Sequence, residues 1–197
     1  MKHDYLIENG WIGRTRSSEA GDSAFTGVYI AGDIVGADGV LSERLDDDLI
    51  ALSDGSVLQF ATGALRTFVS TDADAAIVLV SLLVADSGFL REALFATGRM
   101  SSCERLSTFV LQTYVRLISA GLIAEDARSF DLLFSQTQLA AVTGVTPVHI
   151  NRTLQLLRGA GYLDVRNGRV EIHDLEGLRR EAQSGSIGSR GRAAPSR

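Results

Sequence analysis

The segment 135–172 constrains the fold more than any other part of the chain, because it contains two helix starts, a glycine turn and a hairpin signal. The first helix start is Ser135, which is followed three residues later by Gln138 in the pattern of a capping box. This pattern predicts a short helix over 136–142 that ends at Gly144.

A second helix start follows directly after this turn. Thr146 is a good N-cap, and Pro147 fits the first helical position, where its missing N–H group leaves no hydrogen bond unmade. We therefore expect a second helix over about 147–158 that stops at Gly159. Two short helices joined by a tight turn that contains glycine form a helix-turn-helix.

Two β-like runs, YLDVR and RVEIH, follow around the pair Asn167-Gly168. Asn-Gly is the strongest short signal for a two-residue β-hairpin. A helix-turn-helix followed by a hairpin is a winged helix, a fold that often reads DNA.

The second helix has one apolar and one polar side when its residues are placed at 100° intervals. Its buried stripe is predicted to contain Ile150, Thr153, Leu154 and Leu157. The opposite, outward side is predicted to contain Val148, Arg152 and Gln155, flanked by His149, Asn151 and Leu156. Pro147 and Val148 have no side-chain hydrogen-bond donor, so base reading through donors falls to the residues further along this helix.

The first seventy residues are typical of strands and turns. Dipeptides with hairpin character occur at Asn9-Gly10 and Asp54-Gly55, and AGDIVG has the composition of a Gly-Asp turn. The run GALRTFV ends this region. Short strands spaced by about ten residues predict a small antiparallel roll over 1–70, or partial jelly roll.

A helix is predicted over 71–98, where Thr71 and Asp74 resemble a capping box. It carries a heptad-like apolar seam consisting of Ala76, Val80, Leu83, Ser87, Leu90 and Leu94. The region around 75–85 is apolar on every side, so such a helix must be covered on two faces. We infer that one face packs on the roll and the other on a second copy of the chain. The alternative is a core helix packed wholly within one chain.

The composition is that of a globular protein and not of a disordered one. The chain is 45% hydrophobic and 22% charged, as globular proteins are. Its net charge of −5 is uneven: residues 1–119 carry nine basic and sixteen acidic side chains (net −7), and residues 120–197 carry ten and eight (net +2). The basic excess lies where a polyanion would bind.

Cys103 is the only cysteine, which excludes an internal disulfide and a four-thiolate cluster and favours the cytoplasm. We interpret Cys103 as a buried thiol, with a redox sensor as the alternative. The N-terminus lacks the apolar core of a signal peptide. The apolar run 75–85 has eleven residues, fewer than the roughly 20 that span a bilayer, so no membrane helix is expected.

The run FSQTQLAAVTGVTPVHINRTLQLLRGAGYLDVRNGRVEIHDLEGL resembles the C-terminal domain of the Crp/Fnr family of bacterial transcription regulators. The likeness extends more loosely upstream, through GRMSSCERL, the helix 71–98 and YIAGDIVG. It implies an α+β chain with a cyclic-nucleotide-binding-like β-roll over 1–70, a dimerisation helix over 71–98 and a winged helix-turn-helix over 99–183. The last fourteen residues, 184–197, are small, polar and basic and are expected to form a disordered tail.

The resemblance also implies a homodimer that binds double-stranded DNA at a near-palindromic operator. RNA polymerase is a further candidate partner. By residue-by-residue likeness, the base-reading positions are Val148, His149, Asn151 and Arg152. The positions implied to contact the DNA backbone are Ser135, Gln136, Thr137 and Thr146, together with Arg166, Asn167 and Arg169 in the wing.

The chain departs from well-known family members at the start of the second helix. Where those members have an arginine and a glutamate, this chain has Pro147 and Val148. We therefore expect a different operator, with a Val148 methyl placed against a thymine methyl.

The predicted roll gives only weak evidence about an effector. It lacks the family's phosphate-binding arginine run, and Arg44 is interpreted as a solvated loop residue. The carboxylates of Asp46-Asp47-Asp48 would repel a phosphate. Cyclic AMP is therefore not the expected effector. The aspartate triplet lacks the spacing of a cation site and reads as a solvated loop. The family usually has further strands before this point, so either the roll is abbreviated or the true start lies upstream.

No feature indicates an enzyme or a bound cofactor. The three histidines have no metal-ligand spacing, and no nucleophile elbow, P-loop or dinucleotide fingerprint occurs. The competing function is a protein-interaction module whose winged helix has lost DNA binding.

Overall fold

Two three-stranded antiparallel sheets form the N-terminal part of the chain. The computed structural model describes residues 3–17, 23–37 and 47–187. One sheet has the strand order β4-β1-β6 and the other β3-β2-β5. The strands are β1 (His3–Asn9), β2 (Ile12–Ser17), β3 (Ser23–Tyr29), β4 (Ile34–Val35), β5 (Asp48–Ala51) and β6 (Ser56–Ala61). The roll predicted from the sequence is confirmed.

The two dipeptides with hairpin character form one shared corner, so their interpretation as hairpins was wrong. β1 pairs with β6 and β2 pairs with β5, which makes one long antiparallel ribbon that passes from one sheet to the other. At the corner, the N–H of Trp11 donates to Ser53 Oγ at 3.0 Å. A Cβ on Gly55 would lie 2.2 Å from the Asn9 carbonyl oxygen, and Gly10 has φ +90°. The corner therefore needs both glycines because the two backbones touch there.

The run GALRTFV is helical, and its assignment to the strand region was also wrong. It lies in α1 (Thr62–Thr71), which begins after Ala61 without a side-chain cap. Leu65 of this helix is buried against Ala37 and Leu79. The long helix α2 (Ala73–Arg99) follows after a one-residue break.

The cap of α2 is Asp72, not Thr71 as expected. Asp72 Oδ1 accepts from the N–H groups of Asp74 and Ala75 at 2.9 and 3.1 Å. Thr71 is still in the last turn of α1, where its hydroxyl donates to the Thr67 carbonyl at 3.0 Å. The sequence pattern correctly predicted a capped helix start but placed the cap one residue too early.

The two sides of α2 differ in burial. Leu79 is buried and Leu83 packs beside it on the core of the roll. The opposite side is exposed and mostly apolar: Ile77, Val80 and Val84 are 64%, 58% and 58% exposed. Of the predicted seam, Val80, Leu90 and Leu94 are exposed, whereas Leu83 is partly used inside the chain.

Residues Ala73–Ala96 form one helix that is long and apolar enough to cross a bilayer, judged by length and composition alone. The sequence argument against a membrane helix, which counted only the eleven-residue run, is therefore insufficient. Hydrogen bonds from the roll to α2 are stronger evidence against a membrane helix. Asp86 accepts hydrogen bonds from Tyr29 Oη at 2.8 Å and from Arg14 Nη2 at 3.3 Å. A carboxylate held by the roll places this part of α2 against protein.

The C-terminal unit packs four helices and a three-stranded sheet. The helices are α3 (Ser102–Ser119), α4 (Gln136–Thr143), α5 (Pro147–Gly159) and α6 (Leu175–Ile187). The sheet has the order β7-β9-β8, with strands β7 (Ser129–Asp131), β8 (Leu163–Arg166) and β9 (Arg169–Ile172). The core of the C-terminal unit includes Leu106, Ile150, Leu163, Val170 and Leu178, which are fully buried. The winged helix is therefore present, and β7 and α6 are elements of this unit that were not predicted from the sequence.

The contacts divide the chain into two compact units, Met1–Glu92 and Ala93–Arg197. The predicted disordered tail was wrong for its first residues, because α6 continues to Ile187. The rest of that tail, 188–197, lies outside the described residues, as do Arg44 and Asp46.

Candidate nucleic-acid interface

Two capped helices form the helix-turn-helix that the sequence predicted. Ser135 Oγ accepts from the Gln138 N–H at 3.2 Å, and Gln138 Oε1 accepts from the Ser135 N–H at 2.8 Å. Thr146 Oγ1 accepts from the His149 N–H at 3.3 Å, with Pro147 at the first helical position. Both helix starts are confirmed.

The turn between these helices is held from two sides. Gly144 takes a left-handed conformation at φ +66°, and the Val145 N–H donates to the Ala140 carbonyl at 2.9 Å. The guanidinium of Arg105, on α3, donates to the Gly144 carbonyl at 2.9 Å. Arg105 thereby fixes the angle between α4 and α5, a role that the sequence did not reveal.

The outward side of α5 is fully accessible. Its four proposed base-reading residues are all exposed, and these are Val148, His149, Asn151 and Arg152. Val148 is 80% exposed, whereas Ile150 on the inner side is buried completely.

His149 is oriented by the cap of its own helix. The Thr146 hydroxyl lies 3.1 Å from His149 Nδ1 and also accepts the His149 N–H. The Nδ1 atom is thus engaged with Thr146, which leaves Nε2 as the other ring nitrogen that can bond to a base edge. Asn151 is oriented as well, because its Nδ2 donates to the Pro147 carbonyl at 3.4 Å.

Arg152 differs from the two wing arginines proposed to contact DNA. Among the residues that the structure describes, it forms no ion pair, whereas Arg166 pairs with Asp164 at 2.7 Å and Arg169 pairs with Asp131 at 3.1 Å. A guanidinium without an internal partner keeps all its donors for an external acceptor such as guanine O6 and N7.

The N-terminus of α4 presents a second polar surface. Ser135, Gln136 and Thr137 are exposed there. The free backbone N–H groups and the helix dipole at such an end attract anions, as DNA phosphates are.

The wing hairpin is built on the turn that the sequence predicted. Asn167 and Gly168 have φ values of +50° and +75°, as a type I′ turn requires. The pairs Arg166↔Arg169 and Leu163↔Ile172 close the two ends of the hairpin. Arg166, Asn167 and Arg169 are exposed at its tip.

A buried carboxylate lies at the base of this hairpin. Asp164 is 9% exposed and accepts from Arg158 Nε at 2.7 Å. Burial alone would raise the pKa of the Asp164 carboxyl, but the hydrogen bond from Arg158 and the charges of Arg158 and Arg166 outweigh it and lower that pKa. No sequence pattern predicted the pair of Asp164 and Arg158, since it depends on how the hairpin packs on α5.

The roll holds an open cavity of about 410 Å³, whose lining includes Tyr5, Ile12, Asp47 and Asp48. The interpretation of the aspartate triplet as solvated was wrong for Asp47, whose side chain is only 9% exposed and accepts from Arg16 Nε at 2.6 Å. That cyclic AMP is not the effector stays a prediction.

Cys103 lies at the start of α3 and is partly buried. Burial, together with the charges of Glu181 and Glu104, raises the pKa of its thiol, which disfavours the reactive thiolate. Within the described ranges, no group of three or more metal-binding side chains occurs.

Known proteins similar to this chain include several regulators. The model of the Crp-like helix-turn-helix domain matches residues 104–181. The anaerobic regulatory protein of Haemophilus influenzae is 24% identical over 174 residues, covering 88% of this chain and 66% of that protein. The fumarate and nitrate reduction regulatory protein of Escherichia coli is 23% identical over 178 residues, covering 90% and 70%. FixK2 from Bradyrhizobium japonicum has the same fold, with a TM-score of 0.78 at 19% identity over 91% of this chain and 86% of its own. The chain thus matches the Crp-like helix-turn-helix domain over 104–181 and is similar over most of its length to these regulators.

Two further facts describe how this chain compares with its relatives. A solved transcriptional regulator of the CRP/FNR family from Thermus thermophilus shares the fold, with a TM-score of 0.70 at 16% identity over 93% of this chain and 89% of its own. The chain spans about two thirds of the length of the curated relatives it matches, 66% of the Haemophilus protein and 63% of its Pasteurella multocida counterpart.

Proposed function

We propose that the protein is a DNA-binding transcription regulator that acts as a homodimer in the cytoplasm on a near-palindromic operator. The observation that carries the proposal is the outward side of α5, where Val148, His149, Asn151 and Arg152 are all exposed next to two capped helix ends. A helix with an exposed polar side and an adjacent wing fits the major groove.

Each part of the interface has a separate task in this proposal. Val148, His149, Asn151 and Arg152 read base edges, and the exposed start of α4 binds phosphate. The wing residues Arg166, Asn167 and Arg169 contact the DNA backbone. The proposed backbone role of Thr146 is combined with capping, since its hydroxyl already holds His149.

The apolar outer side of α2 supports the dimer. Ile77, Val80 and Val84 lie on the side opposite to Leu79, which packs on the roll. One helix that exposes so many apolar side chains is stabilised when a second copy covers them. This arrangement favours the dimer over the alternative of a core helix packed within one chain.

Salt-dependent DNA binding tests the proposal. Each phosphate neutralised by an arginine or lysine releases counterions, so the affinity of a regulator falls linearly with salt on logarithmic axes. The purified protein would be titrated with genomic fragments from its host at several salt concentrations, and bound fragments would be sequenced to obtain the operator. Binding that is absent, or that does not change with salt, would instead favour a protein-interaction module.

A further inference from the structure

The wing and the end of α5 share one buried carboxylate. Asp164, in β8, is 9% exposed. Its Oδ1 lies 2.5 Å from Arg158 Nη2, in the last turn of α5, and its Oδ2 lies 2.7 Å from Arg166 Nε at the tip of the hairpin. Each oxygen therefore holds a different arginine from a different element.

A carboxylate is an unexpected group on a surface that faces DNA, because its charge repels phosphate. Its two arginine partners are much more accessible than Asp164 itself: the side chains of Arg158 and Arg166 are 43% and 71% exposed. Both guanidinium groups are exposed enough to be solvated without Asp164, so the carboxylate is not needed to satisfy their donors. What it does supply is a fixed distance between α5 and the hairpin.

We propose that Asp164 is a positioning residue that clamps the wing to the recognition helix and orients the Arg166 guanidinium toward a DNA phosphate. The clamp uses only Nε of Arg166, which leaves its two terminal nitrogens for a phosphate oxygen pair. The carboxylate acts through Arg166 and does not itself touch DNA. This inference rests on the proposed function for its effect on DNA, but the clamp itself can be measured in the free protein.

The test replaces Asp164 by asparagine, a change that removes one negative charge and keeps the size. Charge alone predicts tighter DNA binding for Asp164→Asn, because one repulsive group is lost. The clamp predicts the opposite: affinity for the selected operator falls about tenfold. Asp131→Asn is the matched control, since Asp131 also pairs with a wing arginine but is an exposed member of that pair. We expect Asp131→Asn to bind as well as the parent chain or slightly better.

Two further measurements separate the clamp from misfolding and from failure of the proposed function. Arg166→Lys keeps the charge but loses the planar donor that contacts Asp164, and its affinity falls about threefold. Amide hydrogen exchange in the free protein reports the clamp without DNA: the wing amides 163–172 exchange about tenfold faster in Asp164→Asn than in Asp131→Asn. Unchanged exchange, or DNA binding by Asp164→Asn at least as tight as the parent's, overturns the proposal. If no variant and not even the parent binds DNA while exchange responds as stated, the regulator proposal fails and the clamp stands.

Discussion

Val148 and Arg152 lie on one face of α5 and, in the proposed complex with DNA, contact two different base pairs. Val148 is 80% exposed and offers only methyl groups, which complement the thymine methyl in the major groove. Arg152, four residues later and therefore on the same side of α5, offers five donors. The expected operator thus combines a thymine contact with a guanine contact in each half-site.

The Arg152→Ala variant tests the second of these contacts. We expect it to lose about 1–3 kcal/mol of binding free energy and to relax the preference at one base pair, because a bidentate contact discriminates between bases. Competition titrations with operators mutated at single positions measure this. If the variant were weakened equally on every sequence, Arg152 would be contacting phosphate.

Acid unfolding tests the charge state of Asp164. Its pKa is lowered in the folded chain, so the stabilisation from its arginine partners is complete above the ordinary aspartate pKa of about 3.9 and is lost as the pH falls through the lower folded value. We therefore expect Asp164→Asn to be less stable than the parent at pH 7, with a difference that shrinks below about pH 4. Urea unfolding across this pH range measures the difference. A constant difference at every pH would mean that ionisation of Asp164 has no part in stability.

The outward side of α5 could be predicted from sequence because it depends only on the cap at Thr146 and the helical period. The partners of Asp164 and Arg105 could not be predicted in this way. Arg105 reaches the Gly144 carbonyl across 39 positions of sequence, and no local pattern records such a distance. The same distinction between local and non-local interactions separates the correct and incorrect predictions for the elements of the roll.

At the scale of elements, the strands of the roll were predicted but their pairing was not. Asn9-Gly10 and Asp54-Gly55 have the composition of two hairpins, yet each strand pairs with a strand from the other dipeptide. Helix α1 was missed because Ala61 gives no capping signal. The wing turn at Asn167 was correct, since its two strands are adjacent in sequence.

Substitutions at two glycines of the same unit test the corner. We expect Gly55→Ala to lower the free energy of unfolding by about 1–3 kcal/mol, because its Cβ would overlap the Asn9 carbonyl. Gly63→Ala is the control, since a Cβ there meets nothing within 4 Å and Gly63 lies in α1. It should leave stability unchanged or raise it by up to about 1 kcal/mol. Urea unfolding of both variants measures this, and equal effects would contradict the close contact at the corner.

Two valines of α2 test the dimer. Val80 and Val78 are 58% and 57% exposed but lie on different sides of the helix, and only Val80 belongs to the apolar seam. We expect Val80→Asp to destabilise the dimer by roughly 3 kcal/mol or more, because a carboxylate would be buried in the interface. Val78→Asp should leave the dimer intact. Sedimentation at several protein concentrations measures both, and a parent chain that sediments as a monomer would refute the dimer.

At the scale of the whole molecule, charge and symmetry act together. The acidic excess lies in residues 1–119 and the basic excess in 120–197, so a polyanion is attracted to one part of the chain. A two-fold dimer presents two copies of α5, which read half-sites related by the same symmetry.

The spacing of the half-sites is therefore a property of the dimer. Inserting five base pairs at the centre of the selected operator should rotate one half-site about half a turn and abolish cooperative binding of both subunits. Inserting about ten base pairs should return both half-sites to the same face of the DNA and recover part of the affinity. Gel-shift titrations of the three operators measure this. Equal binding to all three would indicate that each subunit binds alone.

The corner at Gly10 and Gly55 has a consequence for the order in which the chain folds. It brings His3 against Ala61, whereas the wing brings Leu163 against Ile172. Closing the longer loop costs more chain entropy, and proteins with distant contacts fold more slowly. During synthesis, β1 can pair with the short strand β4 early, but it cannot pair with β6 until Ala61 has left the ribosome. The roll is synthesised first, but we expect its strands to reach their native pairing after those of the winged-helix sheet. Until then the unpaired strands of the roll are prone to aggregate and need protection.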